Sequence, residues 1–157
     1  MSAQVEENHL FLSFDLCLLS FLKGRLDGMS RFRRGDNPFR ASEENGRLED
    51  LFAFAARLQR KHGLSIACFG HAGDGNIHTN VMVDLTQPGA ERRAEAALDE
   101  LFRWVIAAGG AISGEHGIGL AKKRWWPLAV SKEARDLHRT VKRALDPKGI
   151  LNPGKFV

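Results

Sequence analysis

Apolar residues recur at helical spacing in three stretches of the chain and alternate with polar ones in a fourth. Leu48, Leu51, Phe52, Ala55 and Leu58 fall three and four residues apart, which predicts a helix over 47–62. Glu49 and Asp50 open it and Arg57, Arg60, Lys61 and His62 close it, charges that suit the two ends of the helix dipole. Gly63 is a natural stop. The run LSIACF, residues 64–69, then reads as a buried strand. A second strand is predicted over 76–84, where Ile77, Thr79, Val81 and Val83 point one way and His78, Asn80, Met82 and Asp84 the other. One face of that strand is apolar and the other carries chemistry. A long helix is predicted over 88–108, with the stripe Ala94, Ala97, Leu98, Leu101, Phe102, Val105 and Ile106. Gly109-Gly110 ends it, and the glycine-rich loop AISGEHGIG follows at 111–119. Ser131 can cap a last helix bearing Ala134, Leu137, Val141, Ala144 and Leu145, which Asp146-Pro147 stops.

Residues 1–46 show no such period and stay unassigned; the patterned part is 47–157. The order helix, hairpin, helix, loop, helix predicts an α+β domain, an antiparallel sheet with packed helices. The apolar run HLFLSFDLCLLSFL at 9–22 contains Asp15 and falls short of the roughly 20 apolar residues a membrane-spanning helix needs. The preceding MSAQVEEN carries acids where a signal peptide carries positive charge. These features predict a chain without a transmembrane segment, in the cytoplasm.

Composition changes this picture little. Apolar residues make up 43% and charged residues 27%, an ordinary globular balance in 157 residues, enough for one domain with a real core. The net charge of +4 invites a phosphate-bearing partner, but apart from Arg31, Arg33 and Arg34 the cations are dispersed. With no aromatic-basic RNA signature and no zinc-finger spacing, no nucleic-acid partner is expected. Cys17 and Cys68 lie in apolar runs outside any CxxC pair and read as buried free thiols.

Three segments carry candidate chemistry. In GHAGDGNIH, Gly70 to His78, a glycine-permitted reversal would join the two strands and bring His71 near His78, with Asn80 on the same face. Two imidazoles at a hairpin mouth can ligate a divalent metal; taken alone, they more often are loop histidines satisfied by hydrogen bonds. In SGEHGIG, Ser113 to Gly119, Glu115 could complete a two-histidine, one-carboxylate site, leaving His116 as a general base. The same loop can also be a solvated surface. The third segment, ILNPGK at 150–155, reads on its own as a turn. No GxxxxGK[ST], strand-to-helix GxGxxG, GxSxG or HExxH is present, so nucleotide-loop, acyl-transfer and zinc-protease chemistry have no support.

Taken together and in this order, GHAGDGNIH, GGAISGEHGIG and LDPKGILNPGK resemble the C-terminal region of the FAD-linked oxidase family. That family includes the glycolate oxidase flavin subunit, D-lactate dehydrogenases and D-2-hydroxyglutarate dehydrogenase. The resemblance covers about residues 47–157. It implies a cap domain over a flavin, with hydride passing from the carbon bearing the substrate hydroxyl to FAD. It also implies His71, His78 and Glu115 as ligands of a divalent metal, zinc by usual assignment. Asn80 would then contact the small 2-hydroxyacid substrate, His116 take the hydroxyl proton, and Asn152 lie near the flavin. The FAD-binding domain and the carboxylate-holding groups of the family have no counterpart in these residues, so activity is expected to need an FAD-domain partner. The competing expectation is a non-catalytic metal-binding fragment.

Overall fold

The computed structural model describes the backbone of residues 3–6, 9–17, 41–71 and 75–155, and side chains within those ranges from Leu48 onward. The arginine cluster at 31–34, the Cys17 side chain and Gly73 lie outside the described residues.

Strands β1 (Ala3–Glu6) and β2 (His9–Cys17) precede helix α1 (Ala41–His62). Then come β3 (Ser65–His71), β4 (Asn76–Asp84), α2 (Ala90–Ala107), the short α3 (Trp126–Ala129) and α4 (Lys132–Leu145). The strands form one antiparallel sheet in the order β1-β2-β4-β3. The chain is therefore α+β, as the periodicity predicts. The apolar run at 9–22 contributes β2, which pairs with β4 along its whole length. Leu10, Leu12, Phe14 and Leu16 alternate with His9, Ser13 and Asp15 along that strand, a period blurred by Phe11 and by the apolar residues that follow Asp15.

β4 is an inner strand, and its alternation sets the architecture. Ile77, Thr79, Val81 and Val83 are buried with Leu51, Phe54, Leu58, Leu98, Leu101, Phe102 and Val105 from α1 and α2. Trp125 closes this core. Its ring stacks on Phe102 with centroids 3.9 Å apart, and its indole N–H donates to Asp99 Oδ1 at 2.9 Å. Lys61 and His62, at the end of α1, meet Glu100 of α2 at 2.6 and 3.1 Å. Cys68 is free, and burial pushes its thiol pKa up.

Three details depart from the periodic reading. α1 begins at Ala41, six residues before the predicted start at Arg47. Phe54 rather than Phe52 joins the core: the two flank the stripe on opposite sides, and α2 covers the Phe54 flank, where Trp104 stacks at 4.9 Å. The third concerns α4. Ser131 does cap it, accepting from the Ala134 N–H at 3.3 Å, yet none of its residues is buried. Leu137, Val141 and Leu145 stand 63%, 49% and 76% exposed, because no described element covers that side.

The tail after α4 is held by Asp146. Its buried carboxylate accepts from Lys142 Nζ at 2.6 Å and from the Ile150 and Leu151 N–H groups at 3.0 Å each. The Lys142 ammonium, followed by those two N–H groups, holds the Asp146 carboxyl below the usual aspartate value. A depressed carboxyl contributes stability that is present above its unfolded pKa and is lost as pH falls through the folded one. Asp146→Ala is therefore expected to speed amide exchange at Ile150 and Leu151 while leaving α1 and α2 protected. Acidification through the depressed value should do the same to the unaltered chain. Unchanged exchange at both amides would show that the carboxylate does not hold the tail.

Candidate functional site

The polar face of the sheet is built by register. Opposite Asn76, His78 and Asn80 on β4 stand His71, Phe69 and Ala67 on β3. Side chains of directly paired residues project to the same face. The hairpin depends on Gly70, whose φ is +144° and where any Cβ would collide with the Asn76 carbonyl oxygen. The loop after α2 then crosses this face and delivers Glu115 and His116.

Among the described residues, His78, Glu115 and His116 form a group whose ligating atoms all lie within 4.8 Å of one another. Glu115 Oε1 is 3.3 Å from His78 Nε2 and 3.6 Å from His116 Nε2. The imidazole rings of His78 and His116 are 5.4 Å apart, and Phe69 packs on His78 at 5.3 Å. His78 is 14% exposed, whereas Glu115 and His116 are about half exposed and face solvent. With zinc-ligand distances of about 2.1 Å, neighbouring ligands of a tetrahedral ion sit roughly 3.4 Å apart. The spacings to Glu115 match that edge, so this donor set fits a divalent cation in spacing and in chemistry.

His71 lies at the end of β3, on the same face as His78 but exposed and outside that group of three. Asn80 is two residues past His78; its Oδ1 is buried and has no hydrogen-bond partner. Asn152 sits in the tail with φ +47°, its carbonyl accepting from the Lys155 N–H at 3.1 Å. Two residues escaped the motif reading. Asn76 also carries a buried, unpartnered Oδ1, and strict alternation back from His78 would have placed it on the site face. His138 helps line a cavity of about 440 Å³ beside Glu115, with Ile112, Ile118, Trp126 and Val130. Its Nδ1 lies 2.7 Å from the Ala134 carbonyl oxygen and its ring meets Trp126 edge-on at 5.1 Å. On an exposed amphipathic helix, nothing in the sequence pattern marked it.

The family model for the C-terminal domain of FAD-linked oxidases matches residues 45–156. The chain belongs to that family. It is 43% identical over 99 residues to the glycolate oxidase subunit GlcD of Bacillus subtilis, covering 63% of this chain and 21% of that protein. It is 38% identical over 115 residues to the D-lactate dehydrogenase of Archaeoglobus fulgidus, covering 71% and 24%. It is 39% identical over 112 residues to the mitochondrial D-2-hydroxyglutarate dehydrogenase of Danio rerio, covering 69% and 20%. The chain thus spans about a fifth to a quarter of the length of these curated relatives. As a member of the FAD-linked oxidase C-terminal family it is related to FAD-dependent 2-hydroxyacid dehydrogenases. Among the described residues, no helix is long and apolar enough to cross a membrane.

Proposed function

We propose that this chain supplies the substrate- and metal-binding part of an FAD-dependent dehydrogenase of small 2-hydroxyacids, of the glycolate or D-lactate type. The observation that carries the reading is the meeting of His78, Glu115 and His116 on the polar face of β4, in a chain of the FAD-linked oxidase C-terminal family. His78 and Glu115 would hold a divalent cation, zinc by the family's usual assignment, and His71 would complete the set from the same sheet face. That ion, when bound, polarises the substrate 2-hydroxyl and favours the alkoxide. His116 stands beside it and takes the hydroxyl proton on an imidazole nitrogen. Asn80 offers its unpartnered Oδ1 as an acceptor for a substrate donor. Asn152, in the tail, would contact the flavin. FAD, held mainly by a separate flavin-binding unit, would supply the hydride acceptor.

A second reading of the ligand set is favoured by one distance relation: His116, not His71, is the imidazole already grouped with His78 and Glu115. In that case His116 is a ligand and the chain's role is metal binding without base catalysis. Metal content and turnover of the His71 and His116 variants, set out in the Discussion, separate the two.

The proposed flavin-binding unit also gives the exposed side of α4 a partner. Leu137, Val141 and Leu145 follow one another at four-residue spacing, and Ile150 and Leu151 extend the apolar surface into the tail. Surface of this kind marks an interface. The 157-residue chain alone is expected to self-associate and to purify without flavin colour. Leu137→Asp together with Leu145→Asp should shift it toward the monomer in sedimentation. A colourless monomer before any substitution would remove the case for α4 as a contact surface, and stoichiometric bound flavin would remove the need for the separate unit.

A further inference from the structure

We propose that Asn76 is a positioning residue: its side-chain amide seats the loop carrying Glu115 and His116 against β4 by packing on Gly114, where a side chain has no room. Three observations meet here. A Cβ built at Gly114 would overlap the Asn76 amide, with Oδ1 nearest and Cγ and Nδ2 behind it at 2.8 and 3.2 Å. Gly114 is not among the glycines with positive φ, so space rather than backbone torsion excludes a side chain at this position. Asn76 lies two residues before His78 on the same face of β4, and Gly114 immediately precedes Glu115. Contact between Asn76 and Gly114 therefore fixes how far the loop stands from the strand. That standoff sets the 3.3 Å between Glu115 and His78.

The amide suits this task. It is planar, so the Gly114 backbone can lie close against it, and it is tethered by one short side chain to an inner strand paired on both sides. Its Oδ1 is buried without a hydrogen-bond partner, as is that of Asn80. An unpaired buried acceptor is costly, and bound water or a ligand donor is the usual remedy. The acceptors flank His78 on either side, so ligand binding at that imidazole would bring donors within their reach.

The inference rests on the proposed metal reading only for its affinity arm, and the test keeps the two apart. Gly114→Ala, Asn76→Ala and the double variant are prepared in the full chain. The first measurement is the NMR cross-relaxation between ring protons of His78 and His116, whose centroids lie 5.4 Å apart. The second is cobalt(II) affinity, read from the visible ligand-field absorption. Gly114→Ala should abolish the ring contact and weaken cobalt by roughly 100-fold, and Asn76→Ala by roughly tenfold, the range seen when a group supporting a metal ligand is removed. In the double variant, truncation of the Asn76 amide leaves room for the methyl group added at Gly114. Its losses should be no worse than those of Asn76→Ala alone, the non-additivity expected of two groups in contact. If Gly114→Ala fails to fold, recovery of the fold in the double variant reads the same relief. A double variant as impaired as Gly114→Ala, or a Gly114→Ala chain that keeps the ring contact, overturns the proposal. Absence of cobalt binding by the unaltered chain overturns the metal reading instead, and the ring-contact arm still decides the role of Asn76.

Discussion

Alanine at Glu115 is expected to abolish divalent-cation binding by this chain, and alanine at His78 to do the same. Glu115 is the only carboxylate in the group of three, and its Oε1 stands between two imidazole nitrogens at 3.3 and 3.6 Å. Removing it takes away the negative charge that offsets the cation and one of the donors. Removing His78 takes away the least exposed of the three, the one fixed by an inner strand and by Phe69. The loss should exceed the roughly 10–100-fold that follows from removing a supporting neighbour of a metal ligand. Equilibrium dialysis or calorimetry with zinc checks it, and affinity within threefold of the unaltered chain for both variants would exclude this site. The same titration assigns the third donor. If His71 is a ligand, His71→Ala loses zinc and His116→Ala keeps it; the reverse pattern makes His116 the ligand.

The second large effect is on turnover. A positioned general base contributes about 10²–10⁴-fold. When residues 45–155 of this chain replace the matching segment of the Archaeoglobus fulgidus D-lactate dehydrogenase, His116→Ala should lower turnover by that order and leave the metal content near one ion. The loss should appear in kcat more than in KM, because a proton transfer is felt in the transition state rather than in ground-state binding. Parallel loss of metal and turnover would reassign His116 from base to ligand. Unchanged turnover would remove it from the chemistry.

The strong periods in the sequence carried most of the fold, and where they were weak the structure supplied the rest. β4 was legible because Ile77, Thr79, Val81 and Val83 alternate with the polar site residues and all four are buried. α2 was legible for the same reason at a period of 3.6. β2 was not: Leu10, Leu12, Phe14 and Leu16 alternate with His9, Ser13 and Asp15, but Phe11 and the apolar residues after Asp15 blur the period, and the residues it pairs with on β4 lie 59 to 75 positions away. α4 shows the opposite failure. Its stripe correctly marks a helix, but a stripe says only that a side seeks cover, not that the cover lies in the same fold.

At the site, the alternation puts His78 and Asn80 on one face of β4, and the register agrees. What spacing did not convey was distance across the sheet. His71 and His78 share a face, yet it is His116, from a loop some forty residues on, that comes into the group with His78 and Glu115. The sequence assigned Glu115 to a metal and left His116 as a base, two separate tasks. In the glycine-flanked turn, with Gly117 at φ +75°, both approach the His78 imidazole. Asn76 was passed over because its part is steric, set by a glycine in a different loop that no local pattern connects to it.

The most direct test of a substrate- and metal-binding role in flavin reduction is an anaerobic one. The chimera carrying residues 45–155 is loaded with FAD and zinc and mixed with glycolate or D-lactate. The proposed role predicts that the flavin's visible absorbance bleaches with at least one of these acids, and that Glu115→Ala slows the bleaching by more than 100-fold, a loss of at least the roughly 2.7 kcal/mol that corresponds to that factor. A chimera that binds FAD and zinc normally yet bleaches with neither acid, or bleaches equally fast without Glu115, would contradict it.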